Sequence, residues 1–81
     1  MRDLELIQAA LFEVAPKRKT EFANLDLQAR FSDLALDSIA IMEMVGFIED
    51  RLEHTFTEDE LARVKTVDDL ARLIRAAAAI A

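Results

Sequence analysis

The chain has 81 residues, enough for one small domain with a single core. It holds no cysteine, one glycine and one proline, which excludes disulfide staples, a thiolate nucleophile and Cys-based metal sites, and leaves too few turn residues for a sheet protein of this length. Sixteen acidic residues against ten basic give a net charge of −6, a surface that repels phosphate backbones and suits partners with basic patches.

More than half of the residues are apolar, yet only five are aromatic, all Phe. This composition predicts an all-α four-helix bundle, one domain over residues 1–81. After Met1-Arg2-Asp3 the chain turns amphipathic at once, without the apolar run of a signal peptide. No stretch is long and apolar enough to span a membrane. The expected location is the cytoplasm, and neither nucleic acid nor membrane is an expected partner.

Leu4, Ile7, Leu11 and Val14 recur at helical spacing beside Ala10, which predicts a first helix over residues 3–15. Asp3 is placed to cap it, and Pro16 ends it, because the residue before a proline avoids the α region. A long connection follows, from Lys17 to about Leu36. The basic run Lys17-Arg18-Lys19 reads as a solvated turn whose cations complement the end of the first helix. Phe22, Leu25, Leu27, Phe31, Leu34 and Leu36 share no clear period. They are expected to pin the connection to the core, with one helical turn near Leu27 to Arg30.

A second helix is predicted from Ser38 to about Glu53, with Ile41, Met44, Val45, Ile48 and Leu52 as its core stripe. Ile39, Met42 and Phe47 lie off that stripe. Gly46 sits mid-helix, either as a tolerated flaw or to permit a close approach. Thr57-Glu58-Asp59-Glu60 is a capping-box pattern opening a helix of two turns or less, with Phe56 as its anchor. Thr66-Val67-Asp68-Asp69 opens the last helix by the same logic, and its stripe is Val67, Leu70, Ala71 and Ile74, continuing into Ala77 and Ala78.

The stretch Leu34-Ala35-Leu36-Asp37-Ser38-Ile39 carries the strongest chemical signal. With Asp37 as N-cap, Ser38 becomes the first residue of the second helix. Its hydroxyl then stands where free N–H groups and the helix dipole favour a negative group, such as a phosphodiester. The residues alone leave two roles open for Asp37-Ser38: a plain capping pair, or the anchor of such a group. Catalysis by Ser38 lacks support. The one histidine, His54, is about a helix length away, and no nucleophile elbow or Gly-rich phosphate loop is present. His54 reads as a cation at a helix C-terminus, Met42 and Met44 as packing residues, and no calcium loop can be drawn.

The helix order, the long first connection and Leu34-Ala35-Leu36-Asp37-Ser38-Ile39 resemble the acyl carrier protein family. The likeness runs on through Met42-Glu43-Met44-Val45, Ile48-Glu49 and Thr66-Val67-Asp68-Asp69-Leu70, and so covers nearly the whole chain. It implies a non-catalytic carrier whose Ser38, flanked by Asp37 and Ile39, receives a 4′-phosphopantetheine arm from coenzyme A through a phosphopantetheinyl transferase. The arm's thiol carries acyl groups as thioesters. The expected carrier is a monomer that meets acyl-loading and acyl-processing enzymes, such as ligases, ketosynthases or other transferases. By position, Glu43, Glu49 and Asp50 are the implied steering charges and Ile39 and Met42 the apolar contacts, although any amphipathic helix shows such a solvated face.

Ala35 stands where the family usually has Gly, and Ile39 where Leu is commoner. Gly46 replaces a larger exposed apolar residue, and Ala40 an acid, of many fatty-acid carriers. These departures point to a specialised pathway, polyketide or related. The alternatives are an aminoacyl or peptidyl carrier and, from another class, an unmodified helical adaptor.

Overall fold

The structure is a computed structural model and describes residues 2–80. Met1 and Ala81, the latter closing the Ala-rich tail, lie outside the described residues. Side-chain caps at Asp37, Thr57 and Thr66 mark the later helix starts, whereas the turns of the first connection carry none. Helix α1 spans Arg2–Val14 and buries Ile7, Ala10 and Leu11. Pro16 breaks it as expected, and Pro16–Arg18 forms a single 3-10 turn that runs into a short helix α2, Lys19–Phe22. Phe22 enters the core, and Gln8 of α1 donates from Nε2 to the Phe22 and Ala23 carbonyls at 3.1 Å each. The basic run thus forms the 3-10 turn and the start of α2, with Lys17 and Lys19 exposed and Arg18 half-buried. Lys19 reaches over the Phe12 ring and Arg18 over the Phe22 ring, at 5.4 and 4.8 Å from the centroids.

The rest of the connection is held by hydrogen bonds rather than by a helix of its own. The expected helical turn near Leu27 is instead a tight turn, in which Asp26 Oδ1 accepts from the Gln28 amide and the Asp26 carbonyl from Ala29. Beyond it the chain pairs with the segment before the last helix. The Phe31 amide donates to the Lys65 carbonyl at 3.0 Å, and the Val67 and Asp68 amides donate back to Ala29 and Leu27 at 2.9 and 2.8 Å. Among the described residues this pairing, an antiparallel bridge of Arg30 with Thr66, is the one β-type feature. A 3-10 turn over Phe31–Leu34 then buries Phe31 and leads to Ser38.

Helix α3 spans Ser38–Leu52, α4 Glu58–Ala62 and α5 Val67–Ile80. Three long helices and one short one make up the expected bundle, and α2 adds a turn in the first connection. Met44 and Ile48 of α3, Phe56, and Val67, Leu70, Ala71, Ile74 and Ala77 complete the core, while Ala78 is exposed. The capping box at α4 is present in both directions, with Thr57 Oγ1 accepting from Glu60 N and Glu60 Oε1 from Thr57 N. Thr66 and Asp69 exchange the same pair at α5, and Asp69 Oδ2 also accepts from the Lys65 amide.

Asp3 departs from its expected role as a cap. It lies inside α1, is 5% exposed, and its carboxylate accepts from Arg75 Nη1 at 2.6 Å, joining the first helix to the last. A carboxylate taken this far from water needs a charged partner, and Arg75, which supplies it, is 72 residues away in sequence. Gly46 is exposed, and a Cβ built on it meets nothing within 4 Å, so no close approach accounts for it.

Candidate functional site: a serine at a helix mouth

The approach to α3 is set by two residues of opposite backbone hand. Ala35 is left-handed, at φ 54 and ψ 43, a conformation that an L-residue with a Cβ disfavours. Asp37 is extended, and its Oδ1 accepts from the Ala40 amide at 2.7 Å, the geometry of a charged N-cap. The Ile41 amide donates to the Asp37 carbonyl, which starts the helical ladder. Ser38 is thus the first residue of α3, and it is exposed.

No earlier turn of helix exists to supply acceptors for the Ser38 and Ile39 amides, so the positive end of the dipole faces outward at this point. An oxyanion linked through the serine oxygen would meet those amides and no burial penalty. This donor set fits a phosphodiester. The other serine, Ser32, is also exposed, but it sits within the 3-10 turn of Phe31–Leu34 and has no such helix ahead of it.

Downstream of Ser38, Ile39, Met42, Glu43, Gly46 and Asp50 fall on one side of α3, opposite Met44 and Ile48. Ile39 and Met42 are 69% and 73% exposed, the two large apolar side chains most open to solvent among the described residues. Single exposed apolar residues are ordinary. Two adjoining ones beside an exposed hydroxyl, bordered by Glu43 and Asp50, form a mixed apolar and acidic rim. Phe47, also off the core stripe, is half-buried under Arg51, whose guanidinium lies 4.4 Å from the ring centroid.

Glu49 does not share this outward aspect. It is half-buried, and its Oε2 accepts from the Phe56 amide at 2.7 Å across the α3–α4 connection. There it borders a cleft of about 490 Å³ lined mainly by apolar side chains, among them Phe31, Ile41, Val45, Leu61 and Val64, with Met42 at its edge. His54 lies just beyond α3, where its amide donates to the Glu49 carbonyl and its ring stands edge-on to Phe56. It is not directed at Ser38 by any contact of the structure. Among the described residues no three His, Asp or Glu side chains gather to hold a metal ion, and no helix is long and apolar enough to cross a membrane.

Two features of the site were not read from the sequence. One is the left-handed corner at Ala35, for which the usual glycine of the resembling family was the available signal. The other is Arg18, whose side chain reaches the Ala35 carbonyl. Its spacing from Glu21 and Phe22, three and four residues on, was the clue to its orientation.

A family model described as the phosphopantetheine attachment site matches residues 9–74, most of the chain and the whole of the site. Neither a curated protein nor a solved structure matches it.

Proposed function

Because this chain belongs to the phosphopantetheine-attachment family of carrier proteins, we propose that Ser38 is the residue that takes the covalent 4′-phosphopantetheine arm. The observation that carries this reading is the position of an exposed serine as first residue of α3, behind a carboxylate cap and at the positive end of the helix. Ser38 Oγ would form the new ester bond to the pantetheine-side phosphorus of coenzyme A, its proton passing to the transferase as the pyrophosphate bond breaks and adenosine 3′,5′-bisphosphate leaves. Asp37 holds the first turn in register. The arm, when bound, supplies the thiol that carries an acyl group as a thioester. The protein itself performs no chemistry on that group.

The exposed rim of α3 is the proposed meeting surface for the transferase and for the enzymes that load and process the cargo. Ile39 and Met42 supply apolar contact, and Glu43 and Asp50 draw in basic patches. Glu49 is a third acidic residue of this helix, and its inward hydrogen bond to the Phe56 amide supports a role in holding the α3–α4 connection. The apolar cleft beside Met42 offers shelter for a cargo chain. Ala40 and Gly46, where fatty-acid carriers often have an acid and a larger apolar residue, favour a specialised acyl or polyketide pathway over housekeeping lipid synthesis. An aminoacyl or peptidyl cargo is the second reading, since the same departures suit it.

The test is direct. The purified protein is incubated with coenzyme A and a broad-specificity phosphopantetheinyl transferase, and its intact mass is measured. The expected result is one pantetheinyl increment, absent in Ser38→Ala. A protein that stays unmodified while a control carrier is loaded would instead be an adaptor that binds partners through α3.

A further inference from the structure

Arg18 is the middle residue of the basic run, and its surroundings set it apart. Lys17 and Lys19 are exposed, whereas the Arg18 side chain is 29% exposed and lies in a crease between α2 and the segment that leads to Ser38. Three contacts fix it. Nε donates to Glu21 Oε2 at 2.7 Å, the guanidinium lies 4.8 Å from the Phe22 ring centroid, and Nη1 donates to the Ala35 carbonyl at 3.4 Å. The first two contacts orient the planar group, and the third uses what is left of its fork. Its footing is firm, because Phe22 is in the core and Gln8 ties the end of α2 to α1.

The far end of this chain of contacts is the left-handed corner. Glycine adopts that conformation freely, whereas alanine does not. The guanidinium meets the Ala35 carbonyl in one orientation of the peptide that follows, and Asp37 and Ser38 lie just beyond that peptide. At 3.4 Å and open to solvent the hydrogen bond is longer than is usual for N–H···O, so its effect falls on the population of one corner geometry and not on the fold.

We propose that Arg18 is a positioning residue for the modification of Ser38: by holding the Ala35 corner in its left-handed form, it sets the angle at which Ser38 is presented to the transferase. This rests on the reading that Ser38 is the acceptor. Arg18 acts through Ala35 and need not touch the transferase or coenzyme A.

The experiment compares wild type, Arg18→Gln, Ala35→Gly and the double variant. Two readouts are taken: kcat/KM for pantetheinylation by a broad-specificity transferase, and the three-bond HN–Hα coupling of residue 35 in the unmodified protein. Arg18→Gln is expected to lower kcat/KM by about threefold to tenfold, the scale of one modest hydrogen bond, and to move the Ala35 coupling. Ala35→Gly alone should stay near wild type. In the double variant glycine holds the corner without help, and the rate should return to within about twofold of wild type. An unchanged rate in Arg18→Gln overturns the proposal. So does a loss that Ala35→Gly fails to rescue, because Arg18 would then be acting on the transferase directly. If the wild type accepts no arm at all, the Ser38 reading fails on its own. The corner is then judged by the coupling, and an unmoved value in Arg18→Gln overturns the latch.

Discussion

Replacing Ala35 by glycine should stabilise the protein. An L-residue in the left-handed region costs roughly 1–2 kcal/mol, because its Cβ crowds the backbone. Ala35 sits there at φ 54 and ψ 43. It is exposed, so deleting its methyl group opens no cavity. Against the relief stands the greater freedom of glycine in the unfolded chain, worth about 0.4–1 kcal/mol. The difference leaves a net gain of about 0.5–1 kcal/mol, which in a domain of this size raises the melting temperature by roughly 2–8 °C. Urea unfolding followed by circular dichroism, with thermal melts alongside, measures it, and the midpoint should rise with the m-value unchanged. Glu53, the other non-glycine residue with positive φ among the described residues, at 53°, makes an internal comparison, and Glu53→Gly should move in the same direction. A neutral or destabilising Ala35→Gly refutes the reasoning: the corner would then be relaxed, or not left-handed in solution.

Other outcomes follow from single contacts. Gly46→Ala should add about 1 kcal/mol of stability in the same unfolding assay, since the site is mid-helix, exposed and open around the new Cβ; a loss would mean that the new methyl group is not tolerated there. Asp37→Ala removes the 2.7 Å bond to the Ala40 amide and should cost about 1 kcal/mol, with Asp37→Asn retaining most of it; equal losses in the two variants would speak against capping. Two carboxylates are held below their usual range by backbone amides, Glu60 chiefly by that of Thr57 and Asp69 by those of Lys65 and then Thr66. A depressed folded-state pKa gives stability that is present above the unfolded value and lost as pH falls through the folded value. The melting temperature should therefore drop as pH falls below about 4, less steeply in Asp69→Asn, and equal slopes in the two proteins would contradict the assignment.

What could be read from the sequence was what is decided within one turn of chain. Asp37, the Thr57 and Glu60 pair, and the Thr66 and Asp69 pair each satisfy amides three residues away, so their motifs locate three helix starts. The stripe through Met44 and Ile48 marks the core face of α3 for the same reason. Contacts between distant parts of the chain carry no such local signal. Asp3 is bound by Arg75 at the other end of the chain, and Glu49 by an amide beyond the helix that carries it. The first connection was opaque because its order comes from pairing with residues 65–68 and from Gln8, Arg18 and Phe22, not from a period of its own. Ser38 stood out because the cap, the helix start and the family motif coincide on it.

Localising the arm tests this account most directly. Trypsin should release residues 31–51 as one peptide that contains both serines of the chain, Ser32 and Ser38. Fragmentation of that peptide from the loaded protein should place the whole pantetheinyl mass on Ser38, with Ser32→Ala loaded as fully as wild type. An arm found on Ser32, or loading that survives Ser38→Ala, would contradict it.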